Sequence, residues 1–469
     1  MYTTNGIDTE KRLDNDYRAD WLRKMANISE ASSTIDSTLF NKYEVKRGLR
    51  DLDGRGVLTG LTEISEIVAY TVVDRELVPR EGELYYQGIN IEEIVDGFLN
   101  EKRFGYEEVV FLLLFGRLPV QKELDELEDM LAYYRENLPM SFVRDIIMKA
   151  PSSDLMNTLA RCVLTLYSYD DRADETSIDN VLRQCLELVA LFPMFSVYGY
   201  QTMKYFHDQK SFFLHPPKPE LSTAENILHM LRPDSSYTAL EAKILDLALV
   251  LHAEHGGGNN STFTDHVVTS SGTDTYAAIS AALGSLKGPR HGGANVKVSQ
   301  MFDDMKKWVK DWDDDEEISA YLTAVLNRQM FDKSGLIYGM GHAVYSLSDP
   351  RAKTFRKFVE QLAKEKGMMK EFTLYKNVER LAPQVIGDQR HIYKGVSANV
   401  DFYSGLVYSM LDIPHELYTP LFAIARIAGW SAHRIEELVN AGRIIRPAYK
   451  AVGHHSPYVP MHEREEKSN

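Results

Sequence analysis

Apolar residues recur every three or four positions through most of this chain, and no other feature of the sequence constrains its fold as much. Tyr106–Phe115, Gln121–Asn137, Leu155–Tyr167, Ser177–Leu191 and Glu241–His252 all carry the pattern, with Asp or Ser ahead of several as N-caps. Helical and strand-like segments do not alternate, which disfavours a doubly wound parallel sheet. The expected fold is all-α with one minor β element. That element is placed at Val57–Val73, which is rich in Val, Ile and Thr and flanked by Gly54, Gly56 and Gly60. Gly82–Gly88 (GELYYQG) reads as a turn leading into a helix.

At 469 residues and 44% hydrophobic, the chain can build a large core, in two or three domains or in one large unit with a smaller one attached. Residues 1–45 are polar, with an amphipathic patch at Trp21–Met25, and read as a docking helix or a loose leader. Residues 207–222 carry Pro216, Pro217 and Pro219 and read as a surface connection. The acidic run 311–317 reads as a solvated helix start, where the dipole favours acids.

Charge narrows the function classes. Fifty-three basic against 68 acidic residues leave a net charge of −15, with no run of five Lys or Arg, so nucleic acid is not an expected partner. An anionic ligand then needs a locally basic pocket, and clustered arginines become ligand candidates. Two cysteines, Cys162 and Cys185, make neither a disulfide framework nor a zinc ribbon. Both fall in helical patterns, so buried thiols in a reducing, cytoplasmic compartment are expected. The N-terminus has no apolar signal region, and Asp8, Glu10, Asp14 and Asp16 argue against a transit peptide. The longest charge-free apolar stretch, Leu188–Met203, contains Pro193 and is shorter than the ~20 residues of a membrane helix, so no membrane association is expected.

Four segments in the second half carry chemistry. In LHAEHGGGNNST (251–262), His252 and His255 stand three apart and share a helix face before three glycines end it. They read as a pocket for a small polar ligand, as C-terminal helix caps, or as a metal pair, although the pattern is not His-Glu-x-x-His. In LKGPRHGGANV (286–296), His291 precedes two glycines and a helix expected near Ala294. A helix N-terminus disfavours imidazolium, so a neutral His291 could donate a hydrogen bond to an enolate. In GLIYGMGHAVYSLSDPRA (335–352), Gly339-Met340-Gly341 lacks the βαβ context of a dinucleotide fingerprint. His342 follows, and the Asp349-Pro350 turn can bring Arg351 back toward it; an arginine fork suits a carboxylate. In SANVDFYSGL (397–406), Asp401 stands among apolar residues, which raises a carboxyl pKa toward that of a general base, unless it is a helix N-cap. Arg426, inside the apolar helix PLFAIARIAGWSAH, needs a partner, and with Arg351 and Arg446 it could clamp a dicarboxylate.

Together and in this order, these segments, with YYQGINIEEI (85–94), FGYEEVVFLLLFGRLP (104–119) and ARIAGW followed by IRP, resemble the citrate synthase family from about Arg47 to Lys450. The resemblance implies a two-domain helical homodimer. Residues 46–292 and 413–469 would form the large domain, 293–412 a small domain closing over the active site, and 1–45 a leader or docking segment. By motif position His291, His342 and Asp401 match the catalytic trio. His255, Arg351 and Arg426 match oxaloacetate ligands, and Arg446 matches the arginine supplied by the neighbouring subunit. Gly339, Met340, Gly341 and Asn399 match positions near coenzyme A. Some members carry a basic residue just after the catalytic histidine for coenzyme A phosphate; here Tyr345, Ser346 and Leu347 stand there, so Lys353, Lys297 and Lys394 are the substitutes. Tyr86-Gln87-Gly88 also departs from the family's usual Tyr-Arg-Gly. The implied reaction joins acetyl-CoA to oxaloacetate, with no metal or other cofactor. The alternatives are a 2-methylcitrate synthase taking propionyl-CoA, a metallohydrolase using His252, His255 and His266, and a non-catalytic binding protein.

Overall fold

The computed structural model describes residues 5–51, 55–74, 76–341, 344–390, 395–440 and 442–464. They fall into two units, one ending at Leu61 and one beginning at Thr62. In the first, helix α1 (Asn5–Ser33) and the short α2 (Thr38–Lys42) precede an isolated bridge between Arg50 and Gly56. Trp21 and Leu22 of the expected amphipathic patch are exposed on α1.

The second unit opens with the β element. Strands β1 (Ser65–Val73) and β2 (Glu76–Tyr86) form an antiparallel hairpin from Ser65↔Tyr86 to Val73↔Glu76, irregular between Val68 and Tyr70; β3 (Ile89–Asn90) adds a short third strand. The segment from Gly82 to Tyr86, expected as a turn, is therefore the end of β2. The physical reason is tertiary. At Gly82 the strand runs so close to Tyr345 and the Ser348 carbonyl that a Cβ there would collide with both.

Helices follow: α3 (Ile91–Asn100), α4 (Tyr106–Phe115), α5 (Gln121–Glu136), the short α6 (Met140–Phe142), α7 (Leu155–Leu166), α8 (Ile178–Asp208), α9 (Thr223–Leu231) and α10 (Ala239–His252). Beyond them come α11 (Asn260–Thr269), α12 (Thr275–Leu286), α13 (Ala294–Trp308), α14 (Asp315–Leu326), α15 (Pro350–Glu365), α16 (Met369–Arg390), α17 (Val400–Met410) and α18 (Tyr418–Val439). The helix-dominated fold with one small sheet is the one the periodicity predicts. Capping explains several boundaries. Asp246 accepts from the Gly105 and Tyr106 amides at the start of α4, and Ser222 and Thr238 make capping boxes with Glu225 and Glu241. Helix α8 extends seventeen residues beyond the expected Leu191, passing through Pro193, because residues 188–199 are buried on every side in the core. Both cysteines are buried and unpaired as disulfides.

Helix α18 is the axis of the unit. It packs against α8, α10, α11 and α4 and is buried from Pro420 through Arg434. It also touches the loop after α10 at backbone range. A Cβ on Gly429 would stand 2.5 Å from the Ala253 carbonyl and closer still to Glu254 Oε2. We expect Gly429→Ala to destabilise the protein by about 1–3 kcal/mol, the usual cost of overpacking a rigid core, measured by urea denaturation. Unchanged stability would mean that α18 and the loop are free to separate.

Candidate active site

The site is assembled where helices end. Helix α10 stops at His252, whose Nδ1 lies 2.8 Å from the Ala248 carbonyl, and a loop carries the chain to α11. Burial lowers the His252 pKa to about 3, so the ring is neutral. His255 follows in the loop, 6% exposed, with its ring edge-on to Tyr345 at 5.6 Å. The α12–α13 connection then presents His291, its ring edge-on to Phe422. Burial first, and the Arg426 charge second, lower the His291 pKa to about 4. Burial and the neighbouring cation thus favour the neutral imidazole that the sequence reading attributes to a helix N-terminus.

Ser261, which sequence reasoning missed, holds His291 in place. Its Oγ lies 3.1 Å from His291 Nε2, 2.9 Å from Asn259 Oδ1 and 3.2 Å from Trp430 Nε1, which donates to it. The hydroxyl has one proton for two acceptors. Given to Asn259, it leaves His291 protonated on Nε2; given to His291 Nε2, it leaves the ring hydrogen on Nδ1, free to donate.

Arg426 has no exposed surface. Its Nε donates to the His252 carbonyl at 2.8 Å, and its guanidinium lies 4.9 Å from the Phe422 ring centre. Nη1 and Nη2 have no hydrogen-bond partner among the described residues, and burial lowers the pKa. A buried guanidinium with unused donors is costly, so its surroundings suit an anion that the described residues do not bond to it. Arg351 is also buried, but its fork closes on Asp349: Nε to Oδ1 at 3.0 Å and Nη2 to Oδ2 at 2.7 Å. Burial works against its charge, and Asp349 outweighs burial, so the pKa is raised.

Asp349 also accepts from the Val400 amide at 3.2 Å, tying α15 to α17, the helix of Asp401. The N-cap of α17 is Asn399, which accepts from the Asp401 amide at 3.0 Å, so Asp401 is not the cap. Burial, with Asp349 adding to it, raises Asp401 to about 6 against the opposing pull of Arg351 and Arg426. Asn399 also donates from Nδ2 to the Gly341 carbonyl at 3.0 Å, and its amide donates to the Gly339 carbonyl at 2.9 Å. With the Met340–Ala398 bridge, this pins the 339–341 turn beside Asp401.

His255, His291, Arg351, Arg426 and Asp401 therefore belong to one cluster, joined through Tyr345, Phe422 and the fields of the two arginines. His342 and Lys394 lie outside the described residues. Arg446 is exposed on the extended segment after α18, apart from the cluster. Lys353 is exposed beside Arg356, Lys376 and Arg380 on a cleft of about 730 Å³ between α15 and α16. Lys297 pairs with Asp332 at 3.2 Å. His252 and His266 do not converge on one point with His255. His252 bonds within its own helix, and His266 pairs with Glu437 and His433.

Comparison with known proteins places this geometry in context. A family model described as "Citrate synthase, C-terminal domain" matches residues 49–448. A citrate synthase of Synechocystis sp. is 35% identical over 82% of this chain and 89% of its own length. A 2-methylcitrate synthase of Corynebacterium glutamicum is 30% identical over 81% of this chain and 91% of its own. Among solved structures, the citrate synthase of Thermoplasma acidophilum, in ternary complex with carboxymethyl coenzyme A and oxaloacetate, superposes with a TM-score of 0.74 at 26% identity, covering 90% of this chain and 99% of that one.

Because both Nη groups of Arg426 lack partners among the described residues, Arg426→Met is expected to stabilise the ligand-free protein by about 1–2 kcal/mol in urea denaturation, the loss of the His252 hydrogen bond included. A clear loss of stability would show that the guanidinium is satisfied within the fold.

Proposed function

The chain belongs to the citrate synthase family, and on that premise we propose that this cluster condenses acetyl-CoA with oxaloacetate and water to give citrate and CoA. The observation that carries the reading is the buried Arg426, whose two Nη groups have no partner among the described residues, beside a carboxylate raised toward neutrality and a histidine lowered below it. Two carboxylates on oxaloacetate suit Arg426, Arg351 and His255, with Arg446 of a second subunit completing the clamp in a homodimer. Residues 339–341, Asn399 and Lys353 would face coenzyme A. Residues 293–412 would move as the small domain, closing on the bound dianion and excluding water until condensation is complete.

In this mechanism Asp401, ionised, takes a proton from the acetyl methyl group. Its raised pKa makes it a stronger base than an ordinary carboxylate, nearer the task at neutral pH. Neutral His291 donates to the developing enol oxygen from Nδ1, which requires the Ser261 hydroxyl to donate its hydrogen bond to Nε2. The enol carbon attacks the ketone of oxaloacetate. The role of proton donor to the new alkoxide falls by motif position to His342. Hydrolysis of the citryl thioester then releases CoA. Carboxylate, imidazole and guanidinium suffice for every proton and charge in this sequence.

Thiol release from acetyl-CoA, with and without oxaloacetate and with propionyl-CoA alongside, tests the reading. Oxaloacetate-dependent release favouring acetyl-CoA is expected. A preference for propionyl-CoA, one methylene larger and so a discrimination of only about 1–3 kcal/mol, would move the assignment to methylcitrate formation. No release with either substrate would overturn the enzyme reading. Asp401→Asn should lower kcat by about 10²–10⁴, the usual contribution of a positioned base.

The pH dependence follows from the sign of the Asp401 shift. The base is active only when ionised, so kcat/KM should fall as pH drops through about 6, approaching about tenfold per unit below it. A plateau extending to pH 4 would exclude Asp401 as the base.

A further inference from the structure

A buried ionic chain that the mechanism does not use lies on the far side of the His255 loop. Glu254 and His433 have no exposed surface, and Glu254 Oε1 stands 3.0 Å from His433 Nε2. Oε1 also accepts from Ser65 Oγ at 2.9 Å and from the Gly256 amide. The other ring nitrogen, Nδ1 of His433, lies 3.3 Å from His266 Nε2, and His266 Nδ1 lies 2.9 Å from Glu437 Oε2. The charged and titratable groups around the His433 ring are Glu254 from the loop, Asp265 and His266 from α11, and Glu436 and Glu437 from α18, with Arg426 of α18 acting on Glu254.

The protons can be assigned from these contacts. Glu437 accepts, so His266 carries its hydrogen on Nδ1 and offers a lone pair at Nε2. His433 must then donate from Nδ1 to His266 and from Nε2 to Glu254, which only the imidazolium can do. Glu254 and Glu437 are the acceptors at the two ends. Burial lowers the pKa of His266 and the His433 cation lowers it further; burial also works against the His433 charge, but Glu254, with Glu436, outweighs it and raises His433 to about 9.

Helix α18 connects this chain to the substrate cluster. Gly429 lies three residues after Arg426 and four before His433, and the missing Cβ lets Glu254 Oε2 lie against the helix backbone. Oε2 has no hydrogen-bond partner among the described residues, and the Glu254 charge already acts on Arg426. Left uncompensated, this carboxylate would compete with a ligand carboxylate for the same guanidinium. We propose that the His433 imidazolium holds Glu254 as its own counter-ion and so keeps Arg426 available, making His433 a positioning residue that sets the affinity for oxaloacetate. The inference rests on Arg426 receiving a carboxylate of oxaloacetate.

Steady-state kinetics on the full-length protein test it. His433→Gln keeps a neutral donor toward Glu254 and removes the charge. The KM for oxaloacetate should rise by about tenfold or more, with kcat and the KM for acetyl-CoA changed by less than about threefold. Adding Glu254→Gln to that variant removes the excess negative charge and should recover most of the lost affinity. An oxaloacetate KM within about twofold of the parent, or a double variant as impaired as His433→Gln, would reduce the pair to a structural element. Should His433→Gln fail to fold, the unmodified protein still decides. Its KM for oxaloacetate should rise as pH climbs through about 9, where the imidazolium is lost and the carboxylate stays charged, and Glu254→Gln should abolish that rise. A flat KM across that range overturns the proposal. Loss of the function reading itself would look different, since the unmodified protein would then form no citrate at any pH.

Discussion

A guanidinium sealed inside a helical core, with four of its five N–H donors unused among the described residues, is the constraint around which the rest of this structure is arranged. Arg426 cannot be solvated where it stands, and the described residues give it one hydrogen bond, to the His252 carbonyl. Such a group persists when the site benefits from its charge at the moment a ligand arrives. Its field then adds to the effect of burial on its neighbours: it helps burial keep His291 neutral, opposes the rise of Asp401 that burial causes, and acts on Glu254.

Helix α18 distributes that constraint. Residues 426, 430 and 433 recur at helical spacing and each reaches a different part of the site. Arg426 meets the end of α10, Trp430 fixes the Ser261 hydroxyl behind His291, and His433 fixes Glu254 beside His255. A second spine comes from Asp349, which grips Arg351 and the start of α17 and so relates one arginine to the base. The two spines explain how groups far apart in sequence keep one geometry.

Much of this was legible in the sequence, for reasons particular to each segment. The helices at 121–136 and 155–166 show their apolar spacing because each buries one side against the core, while those at 106–115 and 239–252 read as apolar because they are buried on nearly every side. His255, His291, Arg351, Arg426 and Asp401 could be named because polar residues interrupt apolar or glycine-rich runs there. The end of β2 was not legible. Gly82 looks like a turn residue, and its actual reason, the approach of Tyr345 and Ser348, lies more than 260 residues away. The Ser261–Trp430 and Glu254–His433 contacts were hidden in the same way, since each partner alone has an unremarkable local pattern. Asn399 as the cap of α17 could have been found, because it stands two residues ahead of Asp401 and one ahead of an apolar helix.

The central claim is that Arg426 exists for a carboxylate that the chain does not supply. Calorimetric titration of oxaloacetate alone, without acetyl-CoA, into the parent protein and into Arg426→Met tests this most directly. The account predicts saturable binding by the parent, and none by the variant at the same concentrations. Equal binding by the two proteins would contradict it and place the dianion elsewhere.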